Sequence, residues 1–358
     1  MTIAIDTPDP SAEARRARRT ARAARIASVL ETLGLGFLAP LVRAAAGDDP
    51  AGNLRSFARL LGIPLFAIAL FLVAWAQLAP RVDTSLGALP GPAQVWAQAV
   101  ALNDDYRLEQ DKRAAFYERQ DARNAELEAA GQGDQVRTRA YTGKPTFYAQ
   151  IWTSIQTVMF GFALATIIAV PLGIVCGLSP NVNLGLTPII QIFKPVSPLA
   201  WLPIVTMVVS AAYTSDNPAF SKSFLVSAIT VTLCSLWPTL INTGLGVASI
   251  DKDLLNVSKV LKLSTWTKIT KLVLPSALPL IFTGLRLSLG VGWMVLIAAE
   301  MLAQNPGLGK FVWDEFQNGS SDSLARIMVA VLTIGVIGFL LDRIMFAIQS
   351  AVSTTTKR

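Results

Sequence analysis

Residues 145–193 read PTFYAQIWTSIQTVMFGFALATIIAVPLGIVCGLSPNVNLGLTPIIQIF, a stretch of 49 residues without one charged side chain. A helix that crosses a bilayer needs about 20 apolar residues. The stretch therefore predicts one transmembrane helix and part of a second, with a turn at Ser179-Pro180-Asn181. This segment alone indicates an integral membrane protein.

The composition of the whole chain agrees with that reading. Of 358 residues, 52% are hydrophobic and 15% are charged, whereas soluble domains carry roughly 25% charged residues. The chain has no histidine and two cysteines, which excludes a Ser-His-Asp triad, a histidine metal site, a four-cysteine zinc site and a disulfide framework. We assign no catalytic residue, metal or cofactor to this chain. A net charge of +7 favours contact with anionic lipid over nucleic acid.

Further gaps between charges extend the membrane assignment. They predict six helices, at about 60–79, 150–178, 185–212, 223–242, 272–301 and 326–349. The first could be taken for a signal peptide, but it starts some 60 residues into the chain and lacks an A-x-A cleavage site. We therefore interpret it as a span. Pro195, Pro198 and Pro203 are expected to kink the third helix.

Lysine and arginine set the predicted orientation. They cluster in the N-terminal tail (Arg15, Arg16, Arg18, Arg19, Arg22, Arg25), in the 243–271 loop, and at Lys357 and Arg358. With six spans these three segments share one side, which the positive-inside rule makes cytoplasmic. The predicted organisation is a basic tail (1–54), a first span (55–80), an outer loop (81–149), a five-helix core (150–350) and a C-terminus (351–358).

The outer loop contains a charged insertion at 103–144. Helix-forming residues dominate it from Arg107 to Ala130, so we expect a partly helical, solvated excursion. Two interpretations stay open: a water-facing insertion, or a docking surface for an outside partner.

Small residues at every fourth position mark the helix-packing faces. Helix 2 carries Gly161, Ala165, Ala169, Gly173 and Gly177, and helix 5 carries Gly284, Ser288 and Gly292. Such stripes let helix backbones approach closely in lipid. They predict a tightly packed bundle and carry no functional information.

Arg286 and Glu300 are the charges at membrane depth in helix 5. Each costs at least about 2.5–3.5 kcal/mol there. They lie 14 residues apart on one helix, so they cannot touch and each needs another partner or water. Arg286 is either half of a structural ion pair or a pathway residue that attracts an anion. For Glu300 the structural role is favoured.

The 243–271 loop is far longer than a typical helix connection of two to eight residues. Apolar residues recur in it at helical spacing, namely Leu254, Val257, Val260, Leu261 and Leu263. An amphipathic helix of this kind can lie on the lipid surface or fill a groove on a soluble partner.

The chain here resembles the permease subunits of ABC importers. Their cytoplasmic signature is Glu-Ala-Ala, a glycine four residues later, and then Ile-x-Leu-Pro. Asn256-Val257-Ser258, Lys262 and Leu272–Pro275 stand at those positions, so the Glu, both Ala and the Gly are replaced. The nitrate-type branch is matched more closely, by LNVSKVLKLS (255–264), PVSPLAWLP (195–203), FTGLR (282–286), AAEML (298–302) and GLGKFVWD (307–314).

The resemblance implies an all-α, six-helix type I importer fold in a bacterial inner membrane. Two permease chains, here a homodimer, would enclose the pathway, a periplasmic binding protein would deliver substrate, and a separate ATPase would hold ATP and Mg. Eight residues would couple to the ATPase: Asp253, Asn256, Val257, Ser258, Lys259, Leu261, Lys262 and Leu263. Four would line the pathway: Arg286, Glu300, Ser197 and Trp201.

The resemblance implies a small anion as substrate, with nitrate or nitrite first. Sulfonates such as taurine, bicarbonate and cyanate are alternatives. No G-x-x-x-x-G-K-[ST] sequence is present, so the nucleotide site is expected on another chain. There are two rival interpretations. A membrane-embedded enzyme would need a convergent set of catalytic groups, and this chain offers only Arg286 and Glu300 at membrane depth. An ATP-independent carrier or channel would be expected to show inverted repeats.

Overall fold

A computed structural model describes residues 10–32, 36–84, 87–214 and 219–356. In these ranges the chain is helical, apart from connections and a two-residue antiparallel ladder of β1 (Asp83–Thr84) and β2 (Gly87–Ala88). The helices before the core are α1 (Pro10–Thr32), α2 (Ala39–Ala45), α3 (Pro50–Leu78) and α4 (Pro92–Ala129). The core helices are α5 (Phe147–Leu178), α6 (Pro180–Phe193), α7 (Pro198–Ala212), α8 (Lys222–Ala248), α9 (Lys252–Val260), α10 (Thr265–Lys268), α11 (Leu274–Ala303), α12 (Leu308–Asn318) and α13 (Ser323–Thr356).

Five helical segments are long and apolar enough to cross a membrane. They are Pro50–Arg81, Phe147–Leu178, Lys222–Ala248, Thr265–Ala303 and Ser323–Val352. The fourth is one continuous rod, because a π-helical segment at Ile269–Val273 joins α10 to α11. These segments confirm five of the six spans expected from the charge gaps.

The prediction of one helix over 185–212 is wrong. Helices α6 and α7 meet at an angle of 100°, so this region is either a broken span or a re-entrant loop. The break falls where the prolines predict a kink. Proline pushes the residue before it toward extended backbone, and Ser197, which precedes Pro198, has φ −63° and ψ 144°. Two prolines within four residues therefore end the helix instead of bending it.

Helix α8 lies between α5 and α11 and is the most buried of the spans. At Gly173 of α5, an added Cβ would sit 2.8 Å from the carbonyl oxygen of Leu240 and 2.6 Å from the Cβ of Thr243. Glycine is needed there because the two backbones nearly touch. The small-residue stripes of helices 2 and 5 are thereby confirmed as packing faces against α8.

A serine of α11 enters the backbone ladder of α8. The Ser288 hydroxyl donates to the Ser235 carbonyl oxygen and accepts from the Thr239 amide at 3.1 Å. Those two backbone groups would otherwise bond to each other, one residue after Pro238. Side-chain insertion of this kind bends a helix while keeping its polar groups satisfied. It ties α8 to α11 at the centre of the bundle.

The insertion is helical, as expected. Helix α4 covers its first part, and the chain then returns along the helix in extended form. On that return the Tyr141 hydroxyl donates to Glu109 Oε1 at 2.8 Å, and this bond raises the pKa of Tyr141 because it favours the protonated phenol. Arg326 of α13 anchors the other face, with its guanidinium 3.5 Å from Asp105 and 3.4 Å from Glu315. The excursion is therefore fixed to the bundle.

Part of the basic tail is a helix, α1. The side chains of Arg18, Arg19, Arg22 and Arg25 on it are exposed. The side chains of Arg15 and Arg16 lie outside the described residues, as do Lys357 and Arg358.

Candidate functional site

The predicted 243–271 loop is mostly helical in the structure, and helix α9 with the turn after it forms its middle part. Helix α8 runs to Ala248, and the rod of the next span already begins at Thr265. The Asp251 carboxylate caps α9 by accepting from the Asp253 amide at 2.9 Å. The Ser264 hydroxyl caps α10 by accepting from the Thr267 amide at 3.2 Å. Helix α9 and the turn that leads from it into α10, residues 252–266, are called the protrusion below.

The protrusion exposes apolar side chains. These are Leu254, Val257, Val260, Leu261, Leu263 and Trp266, of which Val260 is 81% exposed. Apolar surface on a segment too short to cross a membrane marks an interaction site. Of the eight residues assigned to coupling, all but Ser258 are exposed. Ser258 is 2% exposed, and its hydroxyl donates to the Leu255 carbonyl oxygen. Trp266 was missed, although an exposed aromatic just after an amphipathic helix is a visible signal.

Lys262 ends α9 in a left-handed conformation, with φ at +48°. The Leu263 amide closes the helix end on the Ser258 carbonyl oxygen at 3.1 Å. Lys262 stands where the importer signature carries glycine, and glycine adopts this conformation without strain. The replacement is therefore accommodated at a cost in backbone energy.

Lys262→Gly is expected to stabilise this turn by about 1 kcal/mol, because left-handed backbone costs other residues roughly 1–2 kcal/mol. Lys259→Gly is the matched control. It lies inside α9, where glycine costs about 1 kcal/mol, so its effect should have the opposite sign. Hydrogen exchange of the amides of residues 252–264 measures both. Faster exchange in Lys262→Gly would contradict the expectation.

A cavity of about 740 Å³ lies between α11 and α13. Its lining residues are Thr283, Arg286, Leu287, Gly290, Val291, Met294, Asp342, Phe346, Gln349 and Ser350. Arg286 donates to both oxygens of Asp342, Nε to Oδ1 at 2.5 Å and Nη2 to Oδ2 at 2.9 Å. Both side chains stay about one-third exposed. The partner that Arg286 required is thus Asp342, 56 residues further along the chain.

A second arginine shares that carboxylate. Arg343 donates from Nη2 to Asp342 Oδ2 at 3.1 Å, and its guanidinium lies 5.4 Å from the ring centre of Phe339. Two guanidinium groups and one carboxylate give this cluster a net charge of +1. A positive cluster beside an open cavity attracts anions.

Glu300 occupies a different place, and its side chain is fully buried. Its carboxylate accepts from the Ser154 hydroxyl at 2.8 Å and from the Gly309 amide at 3.0 Å. The Ser154 oxygen in turn accepts from the Leu308 amide at 2.8 Å. The carboxylate therefore fastens the start of α12 to α5. A pathway role for Glu300 stays a prediction, and this burial favours the structural alternative.

Ser197 and Trp201 lie at the start of α7. The exposed Ser197 hydroxyl caps the helix by accepting from the Leu199 amide at 3.3 Å. The Trp201 ring packs against Phe193 with 5.6 Å between centroids, and its buried Nε1 has no hydrogen-bond partner among the described residues. Neither residue is among the described residues that line the α11–α13 cavity. The four candidate pathway residues therefore fall into three separate places.

Residues 169–354, which cover α6 to α12 and most of α13 with the cavity and the protrusion, match the family described as "Binding-protein-dependent transport system inner membrane component". The chain belongs to this family. It is therefore a multi-pass permease of the ABC importer type. The resemblance to the permease subunits of ABC importers is thereby confirmed.

Several curated permeases are similar to this permease. The nitrate import permease of Synechococcus elongatus is 36% identical over 208 residues, which cover 58% of this chain and 71% of the relative. The bicarbonate transport system permease of the same organism is 33% identical over 308 residues, 85% of this chain and 94% of the relative. The taurine transport system permease of Escherichia coli is 31% identical and spans 57% of this chain and 69% of the relative.

The fold of this permease is also found in a solved transporter. An inward-facing MetNI methionine ABC transporter chain superposes with a TM-score of 0.50 at 12% sequence identity, over 59% of this chain and 99% of that chain. At this identity the match concerns the fold alone, which is the type I importer fold. The expected fold class is confirmed.

Proposed function

We propose that this permease is the membrane subunit of an ATP-driven importer that moves a small inorganic anion, nitrate or nitrite first, into the cytoplasm. The observation that carries the substrate class is the cluster of net charge +1 beside the α11–α13 cavity. Arg286 is the pathway residue in this proposal, since it lines the cavity and stays one-third exposed. The similarity to nitrate import permeases supports nitrate as the first candidate, with bicarbonate, cyanate and taurine as alternatives.

The protrusion formed by α9 and its turn is the proposed contact with a separate ABC ATPase. Its exposed apolar residues suit a groove on a soluble partner. Exposed Lys259, Lys262 and Asp253 lie around them and would form the polar rim of such an interface. Since no P-loop sequence occurs in this chain, ATP and Mg belong to that partner, and this permease is not itself catalytic.

The remaining partners follow from the uncovered surfaces. Leu287, Gly290 and Met294 form a row on α11 that no other part of the described chain covers, and Met294 is 70% exposed. A second copy of this chain would close the cavity there, so a homodimer is proposed. The basic tail and the protrusion would face the cytoplasm. Helix α4 would then face the periplasm, where a solute-binding protein docks.

The proposal predicts nitrate-stimulated ATPase activity. In the purified permease–ATPase complex with its binding protein, nitrate should raise the ATPase rate severalfold over the anion-free rate. A panel of nitrate, nitrite, bicarbonate, cyanate and taurine ranks the candidates in one measurement, and omission of the binding protein is the control. Stimulation by taurine alone or by bicarbonate alone would show that this anion, and not nitrate, is the substrate. A permease that retains no ATPase and transports without ATP would overturn the importer function.

A further inference from the structure

The Arg286–Asp342 pair has the geometry of an occupied anion site. Two parallel N–H groups of the guanidinium meet the two oxygens of the carboxylate, and both side chains border the same cavity. A guanidinium fork matches a flat pair of oxygens on one atom, and this match gives directional selectivity as well as energy.

Planar oxyanions present the same pair of oxygens. Nitrate, nitrite and bicarbonate each have two oxygens on one trigonal atom, in the plane of that atom's bonds, as a carboxylate has. Chloride offers one point of contact, whereas an oxyanion offers the fork two oxygens on one atom. A fork that now holds the Asp342 carboxylate would therefore accept a planar oxyanion in its place with little rearrangement.

Asp342 has a second partner ready if it leaves Arg286. Arg343 already donates to Asp342 Oδ2, and Arg343 Nε is buried without a hydrogen-bond partner among the described residues. A small rotation of the carboxylate toward Arg343 would give it a new two-point contact. The displaced charge would thus stay paired.

The charge of the cluster suits transient binding. With Asp342 in place the cluster carries +1, and one bound monovalent anion brings it to zero. Without Asp342 it would carry +2 and would hold the anion more strongly. Transport requires a site that binds well enough for entry and weakly enough for release.

We propose that Asp342 is a resident substitute for the substrate. It occupies the Arg286 fork while the site is empty and moves to Arg343 when a planar oxyanion enters. This inference rests on the proposed anion transport and narrows the substrate class to oxyanions that present two oxygens on one atom, such as nitrate. Asp342 and Arg343 become specificity-determining residues beside Arg286.

The test measures nitrate binding and nitrate transport separately. Sodium nitrate and sodium chloride are titrated calorimetrically into the detergent-purified permease–ATPase complex without binding protein. ATP-driven nitrate uptake is then measured in proteoliposomes with binding protein. Asp342→Asn is expected to lower the nitrate Kd about tenfold, because a competing occupant that leaves a tenth of the sites free raises the apparent Kd by that factor. Its maximal uptake rate should fall, since release becomes slow.

Two further variants keep the test decisive if Asp342→Asn fails to fold. Arg343→Gln removes the second partner and should raise the nitrate Kd severalfold, the opposite direction. Arg286→Lys keeps the charge but loses the fork, and should reduce the preference for nitrate over chloride. Asp314→Asn is the matched control. It breaks an ion pair with Lys310 outside the cavity and should leave the Kd unchanged.

Normal protein abundance with an unchanged Kd in Asp342→Asn and Arg343→Gln would overturn the inference, as would absence of nitrate binding in the wild type. These results leave the proposed function standing if nitrate still drives ATP hydrolysis and uptake. A wild-type complex whose ATPase responds to no anion would instead refute the proposed function.

Discussion

Glu300→Ala is expected to remove most of the folded permease from the membrane. The Ser154 hydroxyl and the Gly309 amide would lose their shared acceptor in a site closed to water. Each buried donor left unpaired costs roughly 1–3 kcal/mol, and the lost side chain leaves a void. The sum is a large share of the roughly 5–15 kcal/mol that separates folded from unfolded proteins. Recovery of monodisperse protein by fluorescence-detected size exclusion measures the loss.

Two companion variants test the close packing at this site and the specificity of the loss. Gly309→Ala leaves the carboxylate in place, but its methyl group would collide with the Ile297 carbonyl oxygen, so it should lower recovery as Glu300→Ala does. Glu118→Ala changes an exposed carboxylate on α4 and should have no effect. Normal recovery of Glu300→Ala together with lost transport would place Glu300 on the pathway and contradict the structural assignment.

Val257→Asp combined with Leu261→Asp is expected to separate the permease from its ATPase. Both side chains are more than half exposed on the protrusion, where apolar contacts would carry the interface. Loss of a central contact costs about 2 kcal/mol or more, which weakens binding roughly thirtyfold. ATPase recovered with a tagged permease, and ATP-driven uptake, should both fall to near background. The permease itself should stay folded, since the changes are on its surface.

Leu108→Asp provides the matched control for this double variant. It places one aspartate at an apolar residue of similar exposure on α4, far along the chain from α9. It should leave ATPase recovery unchanged. Full recovery and full coupling in the double variant would indicate that α9 lies on the lipid surface, the alternative that an amphipathic helix leaves open.

Local features of the sequence predicted a good part of this structure. Charge gaps located five spans because a charged side chain is costly in lipid wherever the helix packs. The stripe through Gly173 predicted the packing face of α5, because only small residues permit that separation from α8. The helical spacing from Leu254 to Leu261 predicted α9. The match to the nitrate-type branch supplied the family.

Other features depended on which elements meet in space. Pro195 and Pro198 indicated a bend, but the 100° angle between α6 and α7 is seen only in the folded structure. Asp342 was overlooked because its partner lies 56 residues away, and no local spacing links a residue of α11 to one of α13. The separate roles of Arg286 and Glu300 could not be predicted for the same reason, because the partners of each are distant in sequence.

By itself, then, the sequence determined that the chain is a multi-helix membrane permease with an exposed amphipathic helix. The tertiary structure decided what each charge at membrane depth does. It placed Glu300 among buried donors, where the carboxylate fastens α12 to α5, and Arg286 beside an open cavity, paired with the Asp342 carboxylate. The reason is physical: the cost of a charge in lipid depends on the residue alone, whereas its role depends on which groups the folded helices bring within hydrogen-bonding distance.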